Sequence, residues 1–103
     1  MNKQFSLCYL PQFEQDLEEV RDYIAFNLKS PMAALRLVED TERAILKRLE
    51  NPLGFKPYNS ARKRKQPYYR INIRNFSVFY VVDETVMEVR RFVYSKRNLP
   101  GIL

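Results

Sequence analysis

The stretch VRRFVYSKRN, residues 89–98, brings Arg90, Arg91, Tyr94, Lys96 and Arg97 close together near the end of the chain. Upstream, YYRINIR at residues 68–74 carries Tyr68, Arg70 and Arg74 among apolar residues. Just before it, Arg62, Lys63, Arg64 and Lys65 form a continuous cationic run. Such residues can grip an anion. Arg offers phosphate a planar fork, Lys a point charge, and Tyr a ring on which a base can stack. The same residues can also be a solvated strand edge, with the tyrosines capping a core and keeping their hydroxyls wet. For Arg70, Lys96 and Arg97 both readings stand. The run from Arg62 to Lys65 reads as a non-specific attractor of anions.

Other chemistry is excluded by composition. The chain has no histidine, so it holds no Ser–His or Cys–His nucleophile pair and no histidine metal site. The lone Cys8 makes neither an internal disulfide nor a zinc site. With only Gly54 and Gly101, no P-loop or dinucleotide fingerprint is present. No metal or other cofactor is expected, and an enzyme built on this chain works with Arg, Lys, Tyr, Glu or Asp. Charge is polarised along the sequence. Residues 1–50 hold seven cations and nine acids, whereas residues 51–103 hold eleven cations and three acids, a net of +8. The second half therefore carries a field that recruits anions.

The elements that must position these groups can be read from periodicity. A chain of 103 residues, 46% of them hydrophobic, is expected to form one domain over 1–103. It has no apolar run approaching the ~20 residues of a membrane span, and no signal peptide is recognisable, so a cytoplasmic location is expected. Residues 4–10 alternate as a short strand that Pro11 ends. Phe13, Leu17, Val20, Ile24 and Leu28 then recur on one face of a helix over 11–28. Ser30-Pro31 signals a second helix, to about Leu49, with Ala34, Val38, Thr41, Ile45 and Leu49 as its buried stripe. The short link predicts an antiparallel helical hairpin. After a loop over 54–67 come three strands, YYRINIR, FSVFYVV and VMEVRRFVY, joined by short turns.

The order β-α-α-β-β-β predicts an α+β fold, in which a three-stranded antiparallel meander and the first strand complete one sheet. FSVFYVV, apolar on both faces, reads as a central strand. Alternation turns Ile71, Ile73, Val89 and Val93 towards the helices. It places Arg70, Arg74, Arg90, Phe92 and Tyr94 on the opposite face. Arg91 falls among Met87, Val89 and Val93 and is expected to be half-buried and paired to an acid.

These residues, in this order, resemble the RelE/ParE superfamily of bacterial toxins. The opening FSLCYLPQFEQDLEEVRDYIAFNL matches a strand, a break, an Asp-Leu pair and a later Tyr-Ile. The centre YYRINIRNFSVFYVVDE matches a Tyr-Arg, a short turn, an aromatic and a hydrophobic-Tyr strand ending in an acidic turn. The close VMEVRRFVYSKRN matches an Arg, two apolar residues, His or Tyr, a small residue, two basic residues and Asn or Asp. The resemblance spans nearly the whole chain. It implies the toxin of a type II toxin–antitoxin module, of the kind linked to plasmid stabilisation and growth arrest. Such a toxin is held inactive in a hetero-oligomer by an antitoxin from the adjacent gene.

The superfamily divides by target. RelE-like members cleave mRNA on the ribosome without a metal; ParE-like members poison DNA gyrase. If this chain were a nuclease, the resemblance would make Arg70 and Tyr94 its catalytic residues. Tyr68, Arg74, Arg90, Lys96, Arg97 and the run Arg62, Lys63, Arg64, Lys65 would contact nucleic acid or another target. Ser77 stands where the nuclease pattern carries a second Arg, and Asn72 where it can carry another cation. Cleavage by the 2′-hydroxyl needs an acid, a base and stabilisation of a phosphorane-like charge. The set here is incomplete, which favours gyrase inhibition over ribosome-dependent cleavage. A basic RNA-binding module without toxicity is the remaining alternative.

Overall fold

The computed structural model describes residues 4–58 and 66–97. Strand β1 (Ser6–Tyr9) leads into helix α1 (Pro11–Asp22), and α2 (Pro31–Leu49) returns beside it. Strands β2 (Tyr69–Ile73), β3 (Phe76–Asp83) and β4 (Val86–Tyr94) complete one sheet of order β1-β4-β3-β2. β1 runs parallel to β4, with Ser6 opposite Val86 and Tyr9 opposite Val89, while β2, β3 and β4 form the antiparallel meander. FSVFYVV is indeed central. Among the described residues, no helix is long and apolar enough to cross a membrane.

Both helices start on proline, whose missing N–H costs nothing in a first turn. Ser30 precedes α2 as expected, yet its hydroxyl makes no capping bond; its carbonyl accepts from the Ala34 amide instead. The buried residues of α2 are Ala34, Leu37, Thr41 and Ile45, so Leu37 enters a stripe in which Val38 and Leu49 are only half-buried. The first helix departs from expectation at its end. Tyr23–Asn27 is a π turn, in which the Leu28 amide bonds the Tyr23 carbonyl and the Ser30 amide bonds that of Ile24. Lys29 closes it in the left-handed region at φ 52°. A π turn adds a residue to the turn and rotates the residues after it. Leu28, expected on the buried stripe, is consequently 56% exposed.

A larger correction concerns β4. The β3–β4 pairing slips between Phe79, opposite Arg91, and Tyr80, opposite Val89, so Arg90 is an extra residue in a β-bulge. One inserted residue reverses the faces of everything after it. Val89 and Phe92 therefore both join the core under the helices, with Phe13, Leu37, Ile45, Ile71, Ile73, Val78 and Tyr80. Val93, expected inward, instead joins Tyr68, Phe79 and Val81 in a second cluster on the helix-free face, against which Tyr58 packs. The expectation for Arg91 holds: its Nε donates to Asp16 Oδ2 at 2.7 Å, and it is half-buried.

Candidate functional site

The helix-free face positions one cation with particular care. Arg70 lies on β2 beside β3, and its Nε donates to Ser77 Oγ at 2.8 Å. Ser77 is fully buried, and its hydroxyl also lies 2.8 Å from Ser95 Oγ and 3.3 Å from Asn72 Oδ1. The guanidinium carbon sits 5.7 Å from the ring centres of both Tyr58 and Phe79. Among the described residues no carboxylate forms a salt bridge with Arg70, and its terminal nitrogens have no hydrogen-bond partner there.

Arg90, the bulge residue, shares this face. Its Nε donates to Glu88 Oε1 at 2.8 Å, and its guanidinium lies 6.0 Å from the Tyr68 ring. Burial lowers the Arg90 pKa, but hydrogen bonds with Tyr68 and Glu88 outweigh it and leave a net rise. Tyr68 itself is buried beneath, 6.1 Å from Phe79 in an edge-to-face contact. It supports the face more than it displays a ring. Lys96 and Arg97 are exposed where the chain leaves β4; the Arg97 amide bonds the Tyr94 carbonyl. Arg62, Lys63, Arg64 and Lys65 lie outside the described residues.

The remaining candidates lie elsewhere. Tyr94, expected beside Arg70, is on the helix side because the bulge reverses the end of β4. Its ring meets Phe76 edge-to-face at 5.9 Å, and it lines a groove with Val20, Tyr23, Ile24 and Leu28. Phe92, also expected on the helix-free face, stacks on Phe76 in the main core. Arg74 occupies the β2–β3 turn at φ 53° and forms an ion pair with Asp40 of α2. Its expected place beside Arg70 is lost because the turn, not the strand, sets its direction. Sequence reasoning missed the hydroxyl pair, although a serine in the otherwise apolar FSVFYVV was the one signal for it.

The groove itself measures about 510 Å³ and is lined mainly by apolar side chains, with Glu19 and Asn75 at its margin. Next to it the hairpin exposes Tyr23, Phe26, Leu28 and Met32, at 55%, 73%, 56% and 60%. That is more apolar side chain than a helix tip needs, and it marks a surface suited to a partner. No three His, Cys, Asp or Glu side chains gather to hold a metal ion among the described residues.

A buried polar contact anchors β2 from behind. The Tyr80 hydroxyl donates to the Pro52 carbonyl at 2.7 Å and accepts from Arg48 Nη1 at 3.0 Å; Arg48 Nη1 also reaches the Arg70 carbonyl at 3.3 Å. Arg48 lies 3.6 Å over the Phe55 ring. Burial raises the Tyr80 pKa above the ordinary 10.0, although Arg48 opposes the shift. A raised pKa means that the unfolded chain ionises first as pH climbs. The contribution is thus full below the unfolded pKa and is lost as pH rises through the folded one. Stability is expected to fall on the alkaline side of 10.0, with Tyr9, also raised by burial, adding to the slope. Tyr80→Phe should cost about 2 kcal/mol at neutral pH and flatten the alkaline decline. Urea unfolding at a series of pH values would show an undiminished slope in the variant if Tyr80 were uninvolved.

Comparison with known proteins bears on this arrangement. A family model described as the ParE toxin of type II toxin-antitoxin system, parDE, matches residues 7–99. Among solved structures, the chain is similar to one titled "Chromosomal ParDE TA system from P. aeruginosa", with a TM-score of 0.70 and 18% identity. The alignment covers 90% of this chain and 98% of that one, and at this identity the likeness is one of fold. No curated protein matches the chain.

Proposed function

Since the chain belongs to the family of ParE toxins of type II toxin–antitoxin systems, we propose that it arrests growth by inhibiting DNA gyrase when its antitoxin is removed. The observation that carries a binding mechanism, over RNA cleavage, is the separation of Arg70 from Tyr94. Arg70 lies on the helix-free face with Phe79, whereas Tyr94 packs on Phe76 on the helix side. Two groups on opposite faces of a sheet do not flank one scissile phosphate, and proton transfer requires hydrogen-bond reach. Ser77, in place of a second cation, is buried and engaged with Arg70.

In this reading the helix-free face meets the target through Arg70 and Arg90, with Lys96 and Arg97 at its margin. Tyr68 supports this face from beneath, and the run Arg62 to Lys65 adds positive charge to this half of the sequence. The antitoxin, from an adjacent gene, covers the apolar groove and the exposed hairpin residues around Tyr23 and Phe26. The chain acts in the cytoplasm, where gyrase works. Induction in cells without the antitoxin tests the proposal. Growth should stop, gyrase-dependent DNA breaks should accumulate, and mRNA should remain full length. Undisturbed growth would remove the toxin role; arrest with cleaved ribosomal mRNA would transfer it to the RNA.

A further inference from the structure

We propose that Arg70 is the receptor for a phosphodiester group of DNA, and that Ser77 and Ser95 are positioning residues that hold its guanidinium for that ligand. The inference deepens the reading of the helix-free face as the target-facing surface. Arg91 is satisfied by Asp16 and Arg90 by Glu88, whereas among the described residues Arg70 has no carboxylate partner. Its one side-chain hydrogen bond there goes to a fully buried hydroxyl.

A guanidinium has two donor edges. With Nε committed to Ser77 Oγ, the edge formed by the two terminal nitrogens has no partner among the described residues and can take a ligand. That edge matches a pair of oxygens on one phosphorus or carbon atom. The serine hydroxyls fix the direction. Ser77 accepts from Arg70 and lies within 2.8 Å of Ser95, so each hydroxyl restrains the other across β3 and the end of β4. Tyr58 and Phe79, each 5.7 Å from the guanidinium carbon, hold it by cation–π attraction and limit its swing. Such an ordered fork has surrendered its rotamer entropy before binding.

A carboxylate presents the same pair of oxygens, but the surroundings favour phosphate. Arg90 lies on the same face, and over their length residues 51–103 carry eleven cations against three acids, a balance that draws a polyanion. Among the described residues, Glu88 on this face pairs with Arg90. The field that gathers a duplex and the fork that seats one phosphate are then separate functions of the same surface.

The test uses the purified chain with a short fluorescent DNA duplex and, in parallel, poly-glutamate. The duplex should bind with an affinity that falls as salt rises. Arg70→Lys keeps the charge and removes the fork; it should weaken duplex binding about tenfold, the scale of one charge-assisted hydrogen bond. Ser77→Ala and Ser95→Ala should each weaken it about threefold, with the thermal midpoint of Ser95→Ala unchanged. The Arg70 Nε–H resonance should move on addition of duplex in the wild type, a readout that a purely structural serine would leave alone. Equal duplex affinity of the wild type and Arg70→Lys would overturn the proposal, as would no duplex binding. Arg70-dependent capture of poly-glutamate in preference to DNA would overturn it in favour of an acidic peptide. None of these measurements contains gyrase, so a failure of the enzyme target and a failure of the phosphate site give different results.

Discussion

Asp16→Ala should destabilise the protein by about 3–5 kcal/mol, the cost of breaking a buried ion pair by removing one partner. Asp16 is 7% exposed on α1, where its two oxygens accept from Arg91 Nε at 2.7 Å, Arg91 Nη2 at 3.2 Å and the Phe92 amide at 3.1 Å. Gln12 adds a fourth donor at 2.9 Å. β1 accounts for the arrangement. It stops at Tyr9, and the Leu10 amide makes a last bond to the Val89 carbonyl. Among the described residues β4 has no strand on this side beyond that point, and the Asp16 carboxylate takes the place of a neighbouring carbonyl. Alanine leaves the Phe92 amide buried without its acceptor and a half-buried guanidinium without its carboxylate. Against the ~5–15 kcal/mol typical of a domain, such a loss is large. Asp22→Ala is the control, because its pair with Arg21 is exposed and worth under about 1 kcal/mol. Urea midpoints decide: similar losses in the two variants would show that the buried pair does not fasten α1 to the sheet.

Phe92→Ala should cost a similar ~3–5 kcal/mol, and it probes the bulge directly. Its ring is 2% exposed, stacked on Phe76 at 4.9 Å and edge-on to Phe13 at 6.3 Å. Strict alternation along VMEVRRFVY would instead place it on the helix-free face, away from Phe13 and Phe76. Chemical denaturation of the variant measures what those core contacts contribute. A loss below about 1 kcal/mol would mean that Phe92 is not in the main core and that the face reversal after Arg90 is wrong.

That reversal explains which parts of the molecule were legible in the sequence. The element order, the helical hairpin, the central place of FSVFYVV and the inward side of β2 are all readable from periodicity, since each rests on several residues repeating together. A bulge and a π turn are single-residue insertions that leave no mark in composition. Arg90 looks like any strand cation, and nothing in YIAFN distinguishes a π turn from a helix. Their consequences spread: Phe92, Val93 and Tyr94 exchange faces, and Leu28 rolls into solvent. Arg91 was legible because a lone charge on an apolar face demands a partner, and Asp16 meets that demand. Arg70 was legible as a cation on the helix-free face. Its serine supports were not, because hydroxyl contacts across strands depend on register. Arg74 was misplaced because its direction is set by a turn in the left-handed region.

Purified gyrase gives the most direct measure of the target. It is incubated with supercoiled plasmid and the chain, then stopped with detergent and protease. The expected result is linear plasmid that accumulates with toxin concentration and disappears when the cognate antitoxin is added first. Supercoiling that proceeds unchanged, with no linear product at any concentration, would contradict gyrase inhibition as the function of this toxin.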